Sequence, residues 1–261
     1  MRMSMEKADL KDLKRARMLL ENPGIAAKIT NALGMPIEKG FKMLPGNWKE
    51  KVGEITQAAL YKAVHAAVNT MKDIPGEESS DVLHKIAVAA TGGIGGFFGL
   101  PALAAELPIS TAIMLRSIAD IARSEGEYVS NIDAKMSCLE VFALGGTSRS
   151  DDASETGYFA VRAALAQSVT EAARHIADRG LIGKGSPALL RLIVQIAERF
   201  GIQVSEKAAA QAVPAIGAAG GALINTLFID HFQDRARGHF IVRRLERKYG
   251  TEIVKAAFNS L

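Results

Sequence analysis

Two stretches of this chain carry no charge for more than five helical turns each. Ile86 to Ala105 reads IAVAATGGIGGFFGLPALAA, and Ala208 to Ile229 reads AAAQAVPAIGAAGGALINTLFI. Each is long enough to cross a bilayer. Each is also interrupted by Gly and Pro and is richer in Ala than in Leu, so its hydrophobicity is modest. Gly92 and Gly96 are four residues apart, as are Gly217 and Gly221. Small residues at that spacing form a flat stripe along a helix, which lets two backbones approach closely. The expectation is that both runs are helices that pack on each other, or that they touch a bilayer. A phosphate-binding loop is excluded: there is no G-x-x-x-x-G-K-[ST], and Phe98 stands where the last glycine of a G-x-G-x-x-G frame belongs.

The flanking sequence also follows a helical period. Alternating β-branched or aromatic runs are scarce, and alanine is abundant. The pattern predicts helices over Glu6–Glu21, Ile25–Leu33, Trp48–Met71, Asn131–Leu144, Tyr158–Arg179 and Glu252–Asn259. Pro108 is expected to open a helix that ends near Gly126. Another is expected from Pro187 to Phe200, ended by Gly201, with Ser205 and Glu206 starting the second glycine-rich segment. That segment should continue as one long helix to Tyr249, closed by Gly250. Loops between these elements are short and none is of low complexity. The fold class is therefore all-α, a single-domain multi-helix bundle with two central Gly/Ala-rich segments and the helices of residues 1–75 peripheral to them.

Cys138 is the only cysteine, so a disulfide framework and a multi-cysteine zinc site are both excluded. Met1 to Arg17 is dense in charge and lacks the apolar core of a signal peptide, which places the chain in the cytoplasm. Net charge is +4, and it is localised. Arg235, Arg237, Arg243, Arg244, Arg247 and Lys248 face a single Glu246 within fourteen residues. This predicts a local basic face suited to an anionic membrane surface or an acidic groove on a membrane-protein partner, and it does not predict nucleic-acid binding.

The run from Gly99 through Leu-Pro-Ala-Leu-Ala-Ala-Glu-Leu-Pro-Ile-Ser-Thr-Ala-Ile-Met-Leu-Arg to Arg123 resembles the signature block of the EcsC family. A later block is similar as well: Pro214 to Phe228, then Ala236, His239-Phe240 and Arg243-Arg-Leu-Glu-Arg-Lys-Tyr-Gly. The resemblance covers most of the chain. It implies a bacterial helical protein near membranes, from a family named after an operon that also encodes an ABC transporter. It supplies no catalytic residues.

Several polar groups are candidates for chemistry. Glu106 is the only acid between Asp81 and Asp120; in so apolar a setting it is expected to be buried and held by a cation, with Arg116 the nearest. Arg116 also shares a helix face with Asp120. Glu140 lies in a mainly apolar helix. Asp230, His231 and Asp234 occupy successive helical positions and form a weak metal-binding candidate, although the surrounding arginines compete for the aspartates. No cofactor is implied. The expected role is a non-enzymatic accessory protein at the inner face of the cytoplasmic membrane, adhering through Phe97, Phe98, Arg243, Arg244 and Arg247. One alternative is a hydrolase, with or without a metal, in which Glu106 converges with Glu140 or with Asp230 and Asp234. A second is a soluble binder of an apolar or lipid ligand between the glycine-rich segments.

Overall fold

The computed structural model describes residues 5–22, 24–34, 36–70, 100–144, 157–179, 186–213 and 217–261, except for the side chains of 66–70, 100–102 and 217–219. Within these residues there are ten helices and no strand. They are α1 (Lys7–Leu20), α2 (Ile25–Leu33), α3 (Glu38–Phe41), α4 (Trp48–Thr70), α5 (Leu100–Ser124), α6 (Ile132–Ala143), α7 (Gly157–Arg179), α8 (Pro187–Gln211), α9 (Gly217–Tyr249) and α10 (Thr251–Asn259). Gly92, Gly96, Phe97 and Phe98 lie outside the described residues.

Helix α9 organises the molecule. Its 33 residues extend for about 50 Å at 1.5 Å per residue. Phe228, Phe232, Ala236, Phe240 and Leu245 are fully buried along one side. Helices α1, α2, α5, α6, α8 and α10 all pack on it. The Phe142, Phe200, Phe228 and Phe232 rings meet at centroid distances of 4.9–6.0 Å and close the centre.

Helices α1, α2 and α4, expected to be peripheral, contribute to the core. Leu13, Ala16, Ile25, Ile29, Val52, Ala59, Leu60 and Ala63 belong to the same buried cluster as the α9 phenylalanines. The most extensive packing among the described residues is α4 on α5, followed by α1 on α9. Helix α3 presses on α8 so closely that a Cβ at Gly40 would sit 1.9 Å from the Ala209 carbonyl oxygen.

Two helices run through residues expected to break them. Helix α5 passes through Pro108. The missing proline N–H leaves the carbonyl of Ala104 without its intrahelical donor, at a residue that is exposed to solvent. Helix α8 continues through Gly201 to Gln211, and Ser205 and Glu206 are interior to it. A glycine within a helix costs only about 1 kcal/mol relative to alanine, which the packing of twenty-five residues outweighs. The second uncharged run is accordingly divided: Ala208–Gln211 finishes α8, and Gly217–Ile229 opens α9. Helix α5 packs on α9, and Gly221 is buried.

Candidate functional site

The glycine-rich end of the bundle holds a buried charge pair. Glu106, on α5, has a side chain only 4% exposed, and that of Lys207 on α8 is fully buried. Lys207 Nζ donates to Glu106 Oε1 at 2.6 Å. Asn225 Nδ2, from α9, donates to the same oxygen at 2.9 Å, and Gln211 Nε2 approaches Oε2 at 3.5 Å. The ammonium also lies 4.9 Å from the centroid of the Phe228 ring. Burial pushes the Lys207 pKa down, while Glu106 opposes that shift. Glu106 is therefore buried and held by a cation, but the cation is Lys207. Arg116 is exposed, and Asp120 pairs with Arg123. The sequence signal for Lys207 was its position at the edge of the uncharged run, one residue before three alanines.

The opposite end of α9 carries the arginines, and it is not an unpartnered basic face. Arg243 Nε bonds Glu127 Oε1 at 2.8 Å. Arg244 reaches Glu125 at 2.8 Å and Asp12 at 2.7 Å. Arg247 pairs with Glu127 and donates to the Glu125 carbonyl at 2.7 Å. Lys248 contacts Asp9 at 2.7 Å and Glu6 at 2.9 Å. Tyr249 donates to Asp9 Oδ2 at 2.6 Å. Hydrogen bonds from Lys248 and Tyr249 hold the Asp9 carboxyl below the usual carboxylate range. The counter-charges come from α1 and from the turn after α5, more than a hundred residues away, so a local charge count could not find them.

Between these ends, α6, α7, α9 and α10 bound an open cleft of about 550 Å³. Glu140 is buried at its floor. Desolvation pushes its carboxyl pKa up, against the pull of Arg162 and Arg243 and a hydrogen bond from Ser137. Arg162 forms a two-pronged contact with Glu246 at 2.8 and 3.0 Å and donates to the Tyr158 hydroxyl at 3.3 Å. That hydroxyl lies 3.0 Å from His239 Nδ1. Burial keeps His239 neutral, its pKa pushed well below the usual histidine range. The Tyr158 hydroxyl and Nδ1 thus share a hydrogen bond whose direction follows the tautomer of the neutral imidazole. The pairing of Tyr158 with His239 was not legible in sequence, since it spans eighty-one residues.

Glu106 and Glu140, one pairing of the hydrolase alternative, do not meet. Asn225 marks the position of Glu106, and Arg243 that of Glu140. Eighteen residues of one helix separate them, about 27 Å. Asp234 accepts from Lys28 Nζ at 3.1 Å and from Asn22 Nδ2 at 3.3 Å, His231 is fully buried, and Asp230 is half-buried. Among the described residues no three His, Cys, Asp or Glu side chains gather to hold a metal. No described helix is long and apolar enough to cross a membrane.

No curated protein and no solved structure matches the chain. The model of the EcsC protein family matches residues 7–245, nearly its whole length, so this chain belongs to the EcsC family.

Proposed function

We propose that this EcsC protein is a non-enzymatic accessory factor that works at the cytoplasmic face of the membrane, as a peripheral protein. The surface that makes contact is the glycine-rich end of the bundle. The observation that supports this is apolar exposure where the first halves of α5 and α9 come together. Ile109 on α5 is 54% exposed and Leu223 on α9 is 40% exposed, and Ala104 and Ala105 are open to solvent beside them. The Glu106–Asn225 bond ties these two helix segments into one end of the molecule. The arginines are poor candidates for adhesion. They stand some twenty residues further along α9, about 30 Å away, and their charge is committed to internal acids.

Burying an isoleucine or leucine side chain in the interfacial region is worth about 2 kcal/mol. The test is flotation with phosphatidylcholine and phosphatidylglycerol vesicles, together with fractionation of cells by a high-salt and then a carbonate wash. Ile109→Asp with Leu223→Asp should lower partitioning by two decades or more. Binding should persist in high salt and be lost in carbonate. If the wild type floats with neither vesicle, or if only Arg243→Gln, Arg244→Gln and Arg247→Gln together abolish flotation, the proposal is wrong.

A further inference from the structure

A second apolar surface lies on the outer side of α8. The row Leu190, Val194, Glu198, Ile202, Glu206 recurs every four residues and so runs along one face of the helix. Leu190, Val194 and Ile202 are 38–40% exposed, an unusual concentration for one helix face. Where α4 and the α3 region come alongside, this row becomes one wall of a groove of about 610 Å³. Phe41 and Trp48, with ring centroids 5.3 Å apart, form the other wall, with Val52 below.

The floor is opened by two glycines, Gly53 on α4 and Gly201 on α8. A Cβ built on either meets nothing within 4 Å. Gly201, which fails to end its helix, thus leaves space in the groove where any other residue would fill it. Two carboxylates, Glu198 and Glu206, lie along the rim. Glu206 is largely desolvated, which pushes its pKa up to about 7, opposed by a hydrogen bond from the Ala26 backbone N–H in the first turn of α2. Lys49, also on the rim, reaches out over the Trp48 ring at 5.8 Å.

We infer that this groove is a docking site for a basic amphipathic helix of a partner protein, seated with its apolar side chains between Trp48 and Ile202 and a Lys or Arg over Glu198 and Glu206. A long apolar row bordered by an aromatic wall suits apolar anchors one turn apart. The charge pattern sets the sign: the acids lie in register with the row, so a cation one turn beyond the anchors meets them, whereas an acidic helix would meet like charge. The inference rests on α4 and α8 and is independent of the membrane reading.

Trp48 is the only tryptophan of the chain, so its emission reports occupancy directly. The probe is a synthetic amphipathic helical peptide with leucines at i and i+4 and lysines one turn beyond, compared with its glutamate-for-lysine counterpart. The lysine peptide should shift Trp48 emission to the blue saturably, at least tenfold more tightly than the glutamate peptide. Gly201→Leu, or Gly53→Leu should the first variant not fold, should remove that binding at an unchanged melting temperature. Glu198→Lys should weaken it tenfold or more at low salt. Equal binding of both peptides, or binding unaffected by a filled groove, would overturn the inference. So would a groove that ignores the peptides but takes a fatty acid with the same blue shift.

Discussion

Removing one member of the Glu106–Lys207 pair should be far worse than removing both. The pair is almost wholly withdrawn from water, where taking one partner away leaves an uncompensated buried charge at a cost of about 3–5 kcal/mol. That is a large fraction of the 5–15 kcal/mol by which a domain is typically stable. Glu106→Leu strands an ammonium over the Phe228 ring. Lys207→Met leaves a carboxylate with only the amides of Asn225 and Gln211. With both changes made, no charge remains, and the main residual loss is the Asn225 amide, about 1–3 kcal/mol for an unsatisfied buried donor; Gln211, being half-buried, reaches water. Denaturant unfolding of the four proteins should place the double variant within about 3 kcal/mol of wild type, although the singles sum to roughly 6–10, a coupling of 3 kcal/mol or more. A parallel cycle of Glu106→Gln with Arg116→Gln should show no coupling, because Arg116 is exposed. Additive single effects, or a double variant as unstable as the sum of its parts, would refute the reasoning.

Gly40→Ala should lower stability by about 2 kcal/mol or more, since the new Cβ would lie 1.9 Å from a backbone oxygen that has no rotamer to escape into; a thermal melt equal to wild type would contradict this. Glu206 has a folded pKa of about 7, raised from 4.5, so its contribution is fully present below pH 4.5 and is lost as pH rises through 7. The wild type should therefore melt lower at pH 8 than at pH 5, by an amount worth no more than about 3 kcal/mol, and Glu206→Gln should flatten that component. Cys138 is fully buried and desolvation pushes its thiol pKa up, so a thiol-specific reagent should label it only at the rate of unfolding; rapid labelling of the native protein would show the α6 core to be open.

Helical periodicity made nearly every element legible, because an amphipathic face has to be buried somewhere whatever the fold. The continuity of α5 and α8 was not legible. Whether Pro108 or Gly201 ends a helix depends on what the next turn can bury, and that is a tertiary quantity. The sites divide the same way. A lone carboxylate in an apolar stretch announced that Glu106 would be buried. Its partner Lys207 is 101 residues away, and no local spacing rule reaches so far. The counter-charges of the arginine cluster were hidden for the same reason: sequence counts charges along the chain, whereas Glu125, Glu127 and Asp12 pair with it across space.

The packing of α1 against the end of α9 also fixes an order of assembly. Asp9 waits for Lys248 and Tyr249, and Arg17 donates to the carbonyl of Phe258 at 3.2 Å, contacts that close some 240 residues of chain. A ribosome makes α1 long before its binding surface. Until α9 has been made, the apolar face formed by Leu13, Ala16 and Leu20, all buried in the finished molecule, lacks that partner. Contacts of this sequence separation bear the full entropy of loop closure before they return any stabilisation. Docking of α1 is therefore a late event that waits for α9, and until it happens the nascent protein presents a greasy helix for chaperones to hold.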